Sequence, residues 1–245
     1  MNRKLFLLAA ALMMGAAAFA QQNLRVMSYN VRNGYGIDKI HSYDRPSRVI
    51  NKVKPDVIAV QELDSMTRRY NDYVLGELSE RTGMYAYYGP AIRLGSGKYG
   101  VGIMTRKPAL SVQQFRLPCK SEPRTMLIVE MEDYYFGCTH LSLHAADRMT
   151  SIDIIREIAS KLDKPLILAG DLNAEPGDPE IQKLAEFATI HSRTDKLTWD
   201  AANPTICIDY IVTVGCEAKT RKARVIREKK ASDHRPIYAD IRLKK

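Results

Sequence analysis

The sequence predicts a mixed α/β fold, and three observations carry that prediction. Continuous apolar runs at residues 56–60 and 166–169 have the composition of strands buried on both faces. Stretches with apolar residues at helical spacing flank them, at residues 46–53, 71–82 and 146–162. Between residues 85 and 140 the texture changes to consecutive short strands divided by turn signals, which implies antiparallel pairing. Strand–helix units at the front and middle, with meanders between, argue against a purely parallel sheet. Two sheets with helices on their outer faces account for both textures, although periodicity alone does not stack one sheet on the other.

Each element has its own signal. Residues 24–29 form an apolar strand that runs into the turn-prone Asn30-Val31-Arg32-Asn33-Gly34. Val49, Ile50 and Val53 share one face of the first helix, and Pro46 is tolerated in its first turn. Val74, Leu75 and Leu78 mark the second helix, with Gly83 as its stop. Strands follow at 85–88, 101–105, 110–115, 125–131 and 134–140, with 95–100 read as a flexible loop. Met149, Ile152, Ile155, Ala159 and Leu162 are in phase along the strongest helix. Asp178 reads as the cap of a short helix starting at Pro179 and ending before Thr189. Strands at 206–214, 223–226 and 237–243 close the chain.

Ahead of these elements, Arg3 and Lys4 precede the apolar run 5–14, and Ala18-Phe19-Ala20 is a small-x-small cleavage pattern before Gln21. The run is short for a bilayer span and no second one follows. The expectation is a signal peptide over residues 1–20 and an exported protein, periplasmic or secreted, with no transmembrane anchor. No linker, repeat or low-complexity tract divides the remainder, which predicts one domain over residues 21–245, taken to act as a monomer. Removing Arg3 and Lys4 leaves 35 basic against 28 acidic residues, a formal charge of +7. That balance favours anionic partners such as nucleic acid, phospholipid or phosphorylated metabolites. Of the four cysteines, Cys138 and Cys207 lie inside apolar runs and read as buried free thiols. None has Cys-x-x-Cys spacing, so a zinc site is not expected.

Polar residues that follow buried strands are the candidates for chemistry, because side chains there are held by a sheet yet face a crevice. Asn30, Glu62, His140, Asp171 with Asn173, Asp209, and Asp233 with His234 all hold such positions. Glu62, Asp233 and Asn30 offer hard oxygen donors and no thiolate, which suits Mg²⁺, with Mn²⁺ as a substitute. Asp171 and Asn173 are two apart, which in an extended segment places both side chains on one face; the alternative use of Asp-x-Asn is a turn or cap. His140 and His234 could each donate to a phosphoryl oxygen or protonate a leaving oxygen. Asp209, in an apolar strand, requires a partner to offset its desolvation, and a histidine is the natural one. His41, His144 and His191 read as surface residues.

Taken in order, Ser28-Tyr29-Asn30, Gln61-Glu62, Thr139-His140, Gly170-Asp171-Leu172-Asn173, Ile208-Asp209-Tyr210 and Ser232-Asp233-His234 resemble the motifs of the endonuclease/exonuclease/phosphatase superfamily, the deoxyribonuclease I-like fold. The resemblance covers residues 24–243. It implies a four-layer α-β-β-α sandwich, two mixed sheets face to face with helices outside, and metal-dependent hydrolysis of phosphoester bonds. Carried onto this chain, it implies Glu62 as the main metal ligand, with Asn30 and Asp233 near the ion. It implies Asp171 as the group that orients or deprotonates the attacking water, and Asn173 as a phosphoryl contact. His140 and His234 then stabilise developing charge, and Asp209 fixes His234. Positioning and charge neutralisation are what phosphoryl transfer requires.

Further candidates for substrate contact are Arg124, at the start of a strand, Tyr99 in the 95–100 segment, and Arg148 after His140. The alternatives are a surface arginine on a sheet edge for Arg124 and a solvated helix face for Arg148. The basic run from Lys219 to Lys230 is either a dock for a phosphate-rich polymer or a solvated hairpin. The substrate classes left open are nucleic acid, a phospholipid and a small phosphorylated metabolite. No aromatic stacking segment favours the first and no apolar hairpin the second. The rival outside enzymology is an inactive phosphate- or polyanion-binding module that keeps the fold; it would have lost site residues, and here the candidate positions are chemically intact.

Overall fold

A computed structural model of the chain describes residues 22–69 and 71–244. The signal-peptide expectation over residues 1–20 lies outside the described residues. Along the chain, β1 (Gln22–Asn30) leads through a 3₁₀ turn at Arg32–Gly34 to α1 (Asp44–Val53), β2 (Val57–Ser65), α2 (Val74–Thr82) and the hairpin of β3 (Tyr85–Leu94) and β4 (Gly97–Thr105). There follow β5 (Ser111–Leu117), β6 (Arg124–Glu130), β7 (Tyr135–His140), α3 (Ala145–Ser160), β8 (Leu166–Asp171), α4 (Pro179–Ala185), β9 (Ala188–Ile190) and β10 (Asp209–Val214). Last come β11 (Ala218–Val225) and β12 (Ile237–Leu243).

The strands form two mixed six-stranded sheets, ordered β11-β12-β1-β2-β4-β3 and β5-β6-β7-β8-β10-β9. Each has one parallel pair at its centre, β1 with β2 and β7 with β8, and antiparallel neighbours elsewhere. The facing sides share a core that includes Val26, Ala59, Ile103, Phe136, Cys138 and Ile211. The outer side of the first sheet packs on α1 and α2 through residues such as Ile50, Ile58 and Leu75, and that of the second on α3 and α4 through Ile128, Ile152 and Leu184. The result is the four-layer α-β-β-α sandwich. It explains why 57–60 and 166–169 are apolar without alternation: both faces of those central strands are covered.

Gly83 ends α2 in a left-handed conformation, as its position in the sequence predicts. Cys138 and Cys207 are buried and unpaired. Other expectations are corrected. The segment 95–100 is not a flexible loop: Leu94 pairs with Gly97 across a two-residue turn, and Tyr99 lies in β4 opposite Asp64. The strand read over 206–214 begins only at Asp209, because Ile206 turns aside to pair with Trp199. β9 was not anticipated, being three residues at a sheet edge. β11 is longer than the expected 223–226, since Lys219, Arg221, Lys222 and Arg224 on this edge strand are exposed and only Ala218, Ala223 and Val225 pack against the core, too few to mark the whole strand. Its positive charges blunt the open edge of the first sheet.

His191 is also corrected, from surface to buried. Its Nδ1 lies 2.8 Å from the Thr220 hydroxyl on β11 and its Nε2 2.9 Å from the Thr213 hydroxyl on β10, so the ring ties the two sheets together. His144 is exposed, and His41 is half-buried beside the carbonyl of Asn33.

Candidate active site

The two central parallel pairs end at the same edge of the sandwich. Register places Asn30 beside Gln61 in the first sheet, and His140 beside Asp171 in the second, with Asp209 opposite Asp171 at the start of antiparallel β10. Gly170 permits the close approach of β7 and β8 here: a Cβ on it would lie 2.0 Å from the Thr139 carbonyl oxygen.

Glu62 reaches this edge by a local irregularity. The pairing of β2 with β4 breaks register between Val60 and Leu63, and Glu62 itself has φ 57°. A left-handed glutamate costs about 1–2 kcal/mol. A bulge at the end of a strand re-aims a side chain, and here Glu62 Oε1 accepts a hydrogen bond of 2.9 Å from the Asn30 amide nitrogen. Asn33 fixes the bulge, its Oδ1 accepting from the Asp64 N–H at 2.6 Å.

The loop before β12 brings in the remaining groups. Ser232 donates its hydroxyl to the Asn30 carbonyl at 2.8 Å and accepts the His234 N–H at 3.2 Å. The Ala201 N–H donates to the Asp233 carbonyl and the Arg235 N–H to that of Thr198, so the 198–201 segment clamps the same loop.

Asp171, 1 % exposed, is the hub. Its Oδ2 lies 3.2 Å from Asn30 Nδ2, 3.4 Å from His140 Nε2 and 3.5 Å from His234 Nε2. His234 turns its other nitrogen, Nδ1, to Asp209 Oδ2 at 3.0 Å. The two imidazoles differ in charge state. Burial drives the pKa of His140 down to about 4, overriding the upward pull of Asp171, so its ring is neutral at pH 7. Burial also pulls His234 down, but the carboxylates of Asp209 and Asp171 and the Asp209 hydrogen bond outweigh it and raise the pKa to about 10, so this ring is an imidazolium. Glu62 is raised above the ordinary carboxylate range by desolvation, and the neighbouring Asp233 and Asp171 add to the shift.

Crowded carboxylates with hard oxygen donors suit a divalent cation. The second carboxylate oxygen of Glu62 meets no protein donor among the described residues. The Asp233 carboxylate is part-exposed, with Arg32 Nε 3.5 Å away as its cationic neighbour. This donor set fits Mg²⁺ or Mn²⁺. Asp171, Asp209 and His234 also hold potential ligand atoms within 4.8 Å of one another. Hydrogen bonding of His234 to Asp209 already accounts for that approach.

Asn30, Glu62, His140, Asp171, Asp209, Asp233 and His234 therefore meet at one edge. Asn30 meets the others as a donor: its amide nitrogen faces both carboxylates while its oxygen accepts the Arg32 N–H at 3.1 Å, which differs from the expected metal ligand. Asn173 is adjacent, but not through strand alternation. Asn173 has φ 50°, and its N–H closes a turn onto Asp171 Oδ1 at 3.0 Å, while its side chain donates to the Leu141 carbonyl. Tyr99 is buried on β4, close enough to Glu62 for that carboxylate to raise its pKa further after burial has done so. The charge of Arg124 acts on both Tyr99 and His140, lowering the pKa of each. Arg148 is committed elsewhere: it pairs with Glu180 at 2.6 Å and donates to the carbonyls of Ser142 and Leu143. Asp178 does not cap α4 with its side chain, which accepts instead from the Glu175 N–H. Arg32 went unnoticed in the sequence, though a cation two residues after Asn30 was a readable signal.

A family model described as the Endonuclease/Exonuclease/phosphatase family matches residues 27–234. No curated protein matches the sequence. Among solved structures, an endonuclease/exonuclease/phosphatase family protein from Bacteroides thetaiotaomicron superposes with a TM-score of 0.76 at 18% identity, covering 93% of this chain and 100% of that one. A mannosyl-6-phosphatase of the same species gives 0.73 at 17% identity, with coverages of 89% and 99%. D. rerio TDP2, complexed with a single-strand DNA product, gives 0.69 at 21% identity, with coverages of 90% and 99%.

Proposed function

The chain belongs to the endonuclease/exonuclease/phosphatase family, and on that premise we propose that it is an exported, divalent-metal-dependent hydrolase of phosphoester bonds. One observation carries the reading. Three nitrogens, from Asn30, His140 and His234, converge within 3.5 Å of a single buried carboxylate oxygen on Asp171, and Asn30 links that oxygen to Glu62.

Glu62 and Asp233 would hold the cation, Mg²⁺ or Mn²⁺, in this reading. When bound, it supplies neutralisation of charge on the phosphoryl oxygens. The chain's own residues do the rest. Asp171 Oδ2 orients the attacking water and receives its proton as the water oxygen bonds to phosphorus; the ester P–O bond breaks, and the leaving oxygen takes up a proton from solvent and departs as the alcohol. The imidazolium of His234, kept charged by Asp209, donates through Nε2 to a phosphoryl oxygen as negative charge grows there. Neutral His140 donates through Nε2 without adding a second positive charge beside Arg124. Asn30 holds Glu62 and Asp171 in mutual register, and Asn173 fixes the other oxygen of Asp171 through its backbone N–H. Positioned donors of this kind are what a loose phosphoryl-transfer transition state needs.

The test is hydrolysis by residues 21–245 of a bis-aryl phosphate, an aryl monophosphate, plasmid DNA, RNA, inositol phosphates and sphingomyelin, with Mg²⁺ and with chelator. Cation-dependent turnover of at least one ester, abolished in Asp171→Ala, is expected. A folded protein inert on the whole panel rejects the reading in favour of the binding module. Export is tested by fractionation and amino-terminal sequencing, with a start at Gln21 expected. Monomeric behaviour is expected in solution scattering.

A further inference from the structure

At the corner of the sandwich beside the candidate site, a cavity of about 640 Å³ opens between β3 of the first sheet and β5 and β6 of the second. Its walls carry three guanidinium groups, Arg93, Arg116 and Arg124, and no carboxylate. Arg93 and Arg116 are exposed and have no acidic partner among the described residues. Arg124 is 8 % exposed; only one of its nitrogens is bonded, to Glu122 at 2.6 Å, and its Nε is buried with no partner. A buried guanidinium with donors left free, in a cavity whose two other arginines have no acidic partner among the described residues, is arranged for an anion. The volume is that of a small-molecule site. Gln114 holds the walls together by donating to the Pro90 carbonyl and the Thr125 hydroxyl.

The cavity opens at the same end of the sandwich as Asp171. β6 is next to β7, which carries His140, and β4 is next to β2, which carries Glu62. Two to three strand spacings therefore separate Asp171 on β8 from the arginines on β6 and β5, roughly 10–15 Å. Arg124 stands between cavity and site.

We propose that this cavity is a second anion subsite, which takes a phosphoryl group carried by the same small molecule whose ester is hydrolysed at Asp171. This assignment rests on the hydrolase reading above and narrows its substrate to a small molecule bearing two well-separated phosphates. Arg124 anchors the second phosphate from the inner wall, and Arg93 and Arg116 close on it from the two sheets.

The experiment compares α,ω-alkanediol bisphosphates of increasing chain length with the corresponding monophosphates, in the presence of Mg²⁺. The wild-type protein should favour the bisphosphate by roughly 10- to 100-fold in kcat/KM, the worth of a charge-assisted contact. The preference should peak at the length that spans the two sites. The double variant Arg93→Gln/Arg116→Gln alters exposed residues, and a thermal melt checks its folding. Its ratio of bisphosphate to monophosphate kcat/KM should fall towards one, chiefly through KM. A wild-type ratio near one at every length, or a ratio unchanged in the double variant, overturns the subsite. Loss of oligonucleotide cleavage with an unchanged ratio overturns it in favour of a polymer groove. If neither ester is hydrolysed, calorimetric titration with the bisphosphates decides separately. Binding by wild type that the double variant loses supports the subsite while the hydrolase reading fails; absence of binding in both overturns the subsite as well.

Discussion

Nδ1 of His234 lies 3.0 Å from Oδ2 of Asp209, and both side chains are buried. The pair fixes the ring so that Nε2 points into the site, 3.5 Å from Asp171 Oδ2, and the Asp209 charge keeps the imidazole protonated. Asp209→Asn retains the shape and removes the charge. The His234 pKa should drop well below about 10 in the variant, visible in an imidazole titration by NMR. Turnover should fall by about 10²-fold or more, the usual worth of a positioned proton donor. The sign for stability follows: a histidine raised in the folded state contributes fully below its ordinary pKa of 6.5 and loses that contribution as pH rises towards about 10. The variant should lack this alkaline decline.

Glu62 is crowded by Asp233 and Asp171, and desolvation raises its pKa. Without a cation it is a source of repulsion. Glu62→Gln should therefore raise the melting temperature of the metal-free protein. The same change should abolish the further rise on adding Mg²⁺ and weaken activity by more than the roughly 10- to 100-fold typical of residues that merely support a metal ligand. Scanning calorimetry with and without Mg²⁺ measures both effects.

His191 is neutral in the folded state, its pKa lowered to about 4 by burial. Its unfolded-state pKa of 6.5 is higher, so the unfolded chain binds more protons and stability must fall as pH drops through the interval from 6.5 to about 4. In His191→Gln this component should vanish, giving a flatter acid limb in denaturant titrations. The variant should be less stable at pH 7 by about 1–2 kcal/mol, since the ring joins Thr213 and Thr220 across the two sheets.

Arg148 and Glu180 form an ion pair with side chains 10% and 3% exposed. Breaking a buried pair leaves an uncompensated charge and costs about 3–5 kcal/mol. Arg148→Met should cost about that much, and Arg148→Met/Glu180→Leu should recover most of it. KM should not change in the double variant, because the guanidinium holds the loop after β7 rather than substrate.

The position of the candidate site was legible because apolar runs end in Asn30, His140 and Asp171, and the ends of buried strands in a two-sheet fold meet at an edge. Its aim was not. Glu62 reaches the edge through a bulge with positive φ, which no hydrophobic pattern marks. Asp171 and Asn173 come together through a turn, although spacing alone suggested a strand face. Periodicity tells which face of β1 or β8 is buried but not what covers it, so the stacking of the sheets came from the motif resemblance. β11 was under-read because charge replaces apolar alternation on an edge strand. Of the corner-cavity arginines, Arg124 is a candidate in the sequence, but Arg93 and Arg116 carry no signal because they come from β3 and β5, distant in sequence and joined only by sheet packing.

An anomalous-difference map from crystals soaked with Mn²⁺ and orthovanadate gives the most direct test. One manganese peak between Glu62 and Asp233 is expected, with vanadium within hydrogen-bonding reach of both His140 Nε2 and His234 Nε2. Manganese seated instead among Asp171, Asp209 and His234, or vanadium bound away from the two histidines, would contradict a single centre built on Asp171.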